Sequence, residues 1–196
     1  FPKLSHQKKD VLIGLFLVLF IAVLYYVQWG YYLTNVIDSK VSVDFPQKYF
    51  WWADDSRDYR MTGDWMFGRS SETVIDVRPW VYPLFVGTMR VVFAGNAEKY
   101  LWLSQFVMWM MSIVLVYLTL YNATRKTFLA IIGSGLFLSH PSPLVLTFHG
   151  MTETLNILLL CILGWLMSSN AKWRYILGVL ALSILTSTKP TYQIQL

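Results

Sequence analysis

The chain is short of charge. Of its 196 residues only 14% are Asp, Glu, Lys or Arg, against 56% hydrophobic, where an average soluble domain has roughly a quarter charged residues. So few charges cannot cover a soluble globule. Cysteine is nearly missing too: Cys161 stands alone inside an apolar run, which excludes an intrachain disulfide framework and a cysteine-based zinc site and reads as a small buried side chain. No long polar or low-complexity stretch is present that would form a disordered tail, and there is neither an internal repeat nor a phosphate-cradling glycine loop. Gly133-Ser134-Gly135 lies within an apolar segment and reads as a close helix contact. His140 and His149 have no ligand spacing on one element, so each reads as a satisfied polar residue.

What the sequence does contain is charge-free intervals of membrane-crossing size, for which about 20 apolar residues are needed. The first runs from Val11 to Ile37 after Lys3, Lys8 and Lys9. It is longer than the 7 to 15 residues of a signal-peptide core and ends in aromatic residues, so it reads as a transmembrane helix over 11–33. Further spans are expected over about 100–122, 127–140, 152–170 and 175–188. Pro141 and Pro143 should end the third near Ser139 or His140. Alternation then puts residues 1–10, Arg125 with Lys126, and Lys172 with Arg174 together in the cytoplasm, as the positive-inside rule requires. The net charge of +5 is thereby assigned to topology and membrane lipid, not to nucleic acid. Asn122-Ala123-Thr124 matches a glycosylation acceptor, but its basic neighbours argue for the opposite side, and the match is read as chance. The expected fold is an all-α polytopic membrane protein of about five transmembrane helices with a large, partly helical first outer loop.

That loop, residues 34–98, holds 16 of the 27 charges, nine acidic and seven basic. It is too long for a plain connector. Residues 79–93 are apolar enough for an interfacial helix, with Arg78 and Arg90 at its ends and Trp80, Tyr82 and Phe85 as headgroup-level anchors. Asp54, Asp55 and Asp58 surround Arg57 just after Phe50, Trp51 and Trp52. Carboxylates beside an apolar wall bind protons more tightly unless cations compensate, which is how a base is made useful near neutral pH. The same carboxylates also fit a helix start, with Asp54 or Asp55 as N-cap and acidic residues in the first turn. Most tryptophans and tyrosines at 25, 26, 29, 31, 32, 51, 52, 80 and 82 are expected in the interfacial belt.

The order of several short motifs resembles the first outer loop of GT-C glycosyltransferases, in the branch of the protein O-mannosyltransferases and lipid A aminoarabinose transferases. These are Asp55-Ser56-x-x-Tyr59, Gly63-Asp64-Trp65, and Arg78-Pro79-x-x-Tyr82-Pro83 leading into an apolar helix. The likeness continues in His140-Pro141-Ser142-Pro143, in Thr152-Glu153, and in Thr188-Lys189-Pro190, and so extends over essentially the whole chain. Two features depart from the aminoarabinose transferases: a shorter distance from Tyr59 to Gly63, and Ser56 where those enzymes have an acidic residue.

The resemblance implies a sugar donor carried on a polyprenyl phosphate, a lipid, glycan or protein acceptor, and transfer on the periplasmic, extracellular or lumenal face. It implies Asp55 as general base, with Asp54 second. Arg78 and Lys189 lie at the outer boundary where a carrier phosphate would sit, although an interfacial arginine and a span-ending lysine fit the same positions. Tyr59, Tyr82 and Glu153 complete the expected substrate site. A carboxylate at the edge of hydrocarbon is costly, which makes Glu153 a candidate, while helix capping by Thr152 and Glu153 accounts for it equally. The residues leave a metal requirement open: the carboxylate cluster could hold a divalent cation through oxygens, and the nearby arginines could neutralise a phosphate without one. The chain is expected to be the amino-terminal portion of a longer enzyme. The competing expectation is a non-catalytic subunit for transport or assembly whose acidic loop docks a partner. Transport would call for ionisable residues deep in the spans, and here they sit at span ends.

Overall fold

The structure, a computed structural model, describes residues 6–32, 54–71, 79–170 and 172–188. All regular elements among them are helices: α1 (His6–Tyr32), α2 (Asp54–Met66), α3 (Val81–Phe93), α4 (Ala97–Thr124), α5 (Thr127–Ser139), α6 (Pro141–Val145), α7 (Glu153–Ser168) and α8 (Arg174–Thr186). Short 3₁₀ turns at Ala94–Asn96 and Leu146–Phe148 join α3 to α4 and follow α6. Helix is the expected answer for long apolar runs, because only a backbone bonded to itself survives where water is scarce.

Two stretches, Lys8–Tyr31 and Val81–Thr124, are long and apolar enough to cross a membrane. A third is reached if the bent pair Thr127–Ser139 and Pro141–Phe148 counts as one span. At 1.5 Å per residue, α1 and α4 exceed the roughly 30 Å of a hydrocarbon core. α5, α7 and α8, with 13, 16 and 13 residues, fall short of it as straight helices. Among the described residues two helices, or three with the bent pair as one span, are long and apolar enough to cross a membrane, where the sequence led to an expectation of five.

The bend has a local cause. Pro141 drives the residue before it out of the helical region, and His140 adopts φ −82° and ψ 115°. α5 therefore stops at Ser139, and Pro141 opens α6 at a position where its missing N–H costs nothing. The two axes diverge by 64°. At the other end of α5, Arg125 takes the left-handed conformation (φ 57°), and its N–H returns to the Tyr121 carbonyl, 2.7 Å away. This closes α4 and reverses the chain within two residues.

α4 is the central helix, packing against α1, α3, α5 and α7, while α8 packs on α7. Its serine and threonine hydroxyls are satisfied within the helix, Ser104, Ser112, Thr119 and Thr124 donating to carbonyls four residues back at 2.6 to 2.9 Å, while the Tyr117 hydroxyl donates to the Val11 carbonyl of α1 at 3.0 Å. Gly133 lets α5 meet α4 closely, since a Cβ there would stand 2.4 Å from Leu120 Cδ1; Gly135 faces open space. α1 exposes Leu12, Ile13, Phe16, Phe20, Leu24 and Val27, a face no soluble protein presents to water on this scale.

α1 stops at the end of the bundle where α4 and α7 begin, the cap end. Here Tyr26 packs within 4.5 to 5.6 Å of the rings of Phe106, Phe148 and Trp109. This corrects the sequence expectation that placed Tyr26 in an interfacial belt: it is a buried core residue, as is Tyr82. Trp80 and Tyr31 are exposed as a belt would have them.

Candidate functional site

α2 and α3 form a helical cap that sits on α4 and α7. Their crossing is set by two glycines: a Cβ on Gly63 would lie 2.6 Å from the Pro83 carbonyl oxygen, and one on Gly87 would lie 2.6 Å from the Gly63 carbonyl oxygen. Backbone meets backbone, so neither position tolerates a side chain. Asp64, next to Gly63, receives the Arg90 Nε proton at 2.9 Å, and Arg69 donates to the Arg90 carbonyl at 2.8 Å. This charged latch fastens the end of α2 to α3. In the sequence, Arg90 reads only as the end of an interfacial helix.

The cap continues into the bundle through aromatic and amide groups. Tyr59 (5% exposed) meets Tyr82 (1%) edge to face, with ring centroids 5.2 Å apart, and the pair packs with Val86 and Leu101. From α4, fully buried Gln105 donates its Nε2 proton to the Tyr82 hydroxyl at 2.7 Å. Thr154 of α7 donates to Gln105 Oε1 at 3.4 Å. One line of polar groups thus joins α3, α4 and α7, and Tyr59 extends it to α2.

Glu153, the first residue of α7, lies within electrostatic reach of the Tyr82 phenol and of His149. Burial pushes the His149 imidazole below its ordinary value, and the Glu153 charge partly opposes this, so the neutral ring is favoured. One turn further along α7, Asn156 Oδ1 accepts from the Thr188 hydroxyl, which also reaches the Leu185 carbonyl at 2.6 Å. Thr188 is fully buried. The start of the Thr188-Lys189-Pro190 segment is therefore fixed beside the first turn of α7.

Of the residues expected from sequence, Tyr59, Tyr82 and Glu153 come together at the cap end. Asp54 and Asp55 open α2, and Asp55 precedes Tyr59 by one turn, at i and i+4, the spacing that shares a helix face. Their side chains, and all of Arg78 and Lys189, lie outside the described residues. Among the described residues, no three His, Cys, Asp or Glu side chains gather in a way that could hold a metal ion.

Sequence reasoning missed Gln105, Asn156 and the Asp64–Arg90 pair. For the two amides a signal existed: each stands well inside a charge-free, largely apolar stretch, where a polar group is expensive unless bonded.

The polar line predicts a measurable coupling. Tyr82→Phe leaves the Gln105 amide buried without its acceptor, and should cost about 1 to 3 kcal/mol of stability. Gln105→Leu in the same chain should recover part of the loss, because both partners are then apolar. Thermal unfolding in detergent of the two single variants and the double variant checks this.

Comparison with protein-family models, with curated proteins and with solved structures returns no match for this chain.

Proposed function

We propose that the protein is a membrane glycosyltransferase of GT-C type, moving a sugar from a polyprenyl-phosphate carrier to an acceptor hydroxyl with inversion. The observation that carries the reading is a convergence. Tyr59, Tyr82, Glu153 and Thr188, from four motifs spread over some 130 residues, meet where the α2–α3 cap rests on α4 and α7.

In this reading α1, α4, α5 with α6, α7 and α8 cross the bilayer in alternation. Support comes from Lys8 and Lys9, Arg125 and Lys126, and Lys172 and Arg174, which fall at the ends of α1, α4 and α7 opposite the cap. The cap then faces the periplasm, cell exterior or an organelle lumen. There Asp55 takes the proton of the acceptor hydroxyl, and the freed oxygen attacks the anomeric carbon from the face opposite the carrier. The bond from that carbon to the phosphate oxygen breaks, its electron pair stays on the phosphate, and polyprenyl phosphate leaves. Arg78 and Lys189 neutralise the departing charge. Tyr59, Tyr82 and Glu153 shape the sugar side, and no step requires a metal.

The test is saturable binding of polyprenyl-phosphate sugars to the protein in nanodiscs. Lys189→Ala and Arg78→Gln should each weaken it about tenfold, the scale of one charge-assisted hydrogen bond. A folded protein that binds no carrier would sink the reading and favour a partner-docking subunit.

A further inference from the structure

At the end of the bundle opposite the cap, a groove of about 430 Å³ opens between α7 and α8. Its walls are apolar, with Leu163, Leu166 and Met167 on one side and Tyr175 and Gly178 on the other, and Arg174 stands in its lining. The guanidinium is held in place but not neutralised. It donates to the Ser169 carbonyl at 3.0 Å and to the Tyr175 hydroxyl at 2.7 Å, and it stacks 4.8 Å from the Tyr175 ring centroid. All three contacts are with uncharged groups. Lys172 adds a second cation two residues away, and its side chain is exposed.

Among the described residues, no carboxylate side chain is near enough to compensate. Outside residues 34–98 the chain has only two acidic side chains, Asp10 and Glu153, and none follows Glu153; Asp10 lies on α1, which packs on α4 and α5 and not on the α7–α8 pair. Glu153 begins α7, so the 16 residues of that helix separate it from the groove's basic end by about 24 Å. An apolar groove whose lining holds one cation with uncharged contacts, and a second cation two residues before it in the chain, suits an amphiphile that has an acyl chain and an anionic head.

We infer that the α7–α8 groove binds an anionic phospholipid of the cytoplasmic leaflet, its acyl chain against Leu163, Leu166 and Met167 and its phosphate on Arg174 and Lys172. Trp173 and Tyr175, both exposed, sit at headgroup level, where such rings settle. The inference rests on the topology given under Proposed function, and concerns a face remote from the sugar site.

Native mass spectrometry of the whole chain, with dioleoyl-phosphatidylglycerol against dioleoyl-phosphatidylcholine, tests it. The wild type should retain the anionic lipid about fivefold more strongly. Arg174→Gln should abolish that preference. Gly178→Leu tests the groove with the charge intact: a Cβ at Gly178 meets nothing within 4 Å, so the added side chain fills the groove without disturbing the helix, and the retained lipid should be lost. Lys126→Gln, at a different basic cluster, should change neither. Equal retention of the two lipids, or a preference that survives both groove variants, overturns the inference; a groove filled by another protein segment would give the first result. Sided thiol labelling of Asn170→Cys, an exposed position just after α7, in a Cys161→Ser background reads the topology independently. Labelling from the cap side would overturn both the topology and the lipid site, whereas loss of lipid preference with cytoplasmic labelling overturns the site alone.

Discussion

Asp55→Asn is expected to lower sugar transfer about 10²- to 10⁴-fold, the usual contribution of a positioned general base, while leaving carrier binding nearly unchanged. The amide keeps the size and shape of the carboxylate, but one accepting oxygen becomes an NH2 donor and the group cannot take the acceptor's proton. Because Asp55 opens α2 one turn before Tyr59, the change also removes a favourable acidic residue from a helix first turn, worth at most about 1 kcal/mol. That loss is too small to explain a hundredfold fall in rate. Asp54→Asn removes the same helix-end charge from the neighbouring position and serves as the comparison. Turnover of both variants, measured with equal amounts of folded protein in nanodiscs, separates the roles. An Asp55→Asn protein with wild-type turnover would remove Asp55 as the base, and a large loss in Asp54→Asn alone would move the role there.

The second large effect is structural and comes from Gly63. Gly63→Ala places a methyl group 2.6 Å from the Pro83 carbonyl oxygen and 2.9 Å from the Gly87 nitrogen. Both are backbone atoms that cannot rotate away, so α2 must separate from α3. Overpacking of this kind costs about 1 to 3 kcal/mol. The separation should reach further than the crossing itself, because the Asp64–Arg90 latch and the Tyr59–Tyr82 contact flank it. Limited proteolysis should cut the α2–α3 region of Gly63→Ala much faster than that of the wild type, and transfer should fall with it. Gly87→Ala meets the Gly63 carbonyl oxygen and the Phe67 ring and should behave alike. The double variant should fall short of the sum, since the two residues share one contact. Wild-type protease resistance in Gly63→Ala would show that the cap is not held at this crossing.

The sequence made the helices legible because charge-free runs bounded by basic pairs leave little choice. The break at His140 was also legible, since Pro141 dictates the backbone before it. Helix length at α5, α7 and α8 was not, because a charge-free interval includes the turns that flank a helix: the interval 127–152 contains α5, the bend at His140 and all of α6. Tyr26 and Tyr82 were misread for a related reason. An aromatic residue near the end of an apolar run has the same sequence neighbours whether it points at headgroups or into the bundle. Only the positions of Phe148, Trp109 and Gln105, which are distant in sequence, distinguish the two. The site was legible as separate motifs. Their meeting at the first turn of α7 depends on long-range packing through Gln105 and Asn156, for which local patterning gives no partner.

We propose that the cap end performs sugar transfer from a lipid phosphate. Its most direct test is release of polyprenyl phosphate from polyprenyl-phosphate sugars by the reconstituted protein supplied with a membrane extract as acceptor, with the anomeric configuration of the product read by NMR. Turnover with inverted configuration is the expected result. No release from any carrier by folded, inserted protein would contradict it, as would a product that retains the donor's configuration.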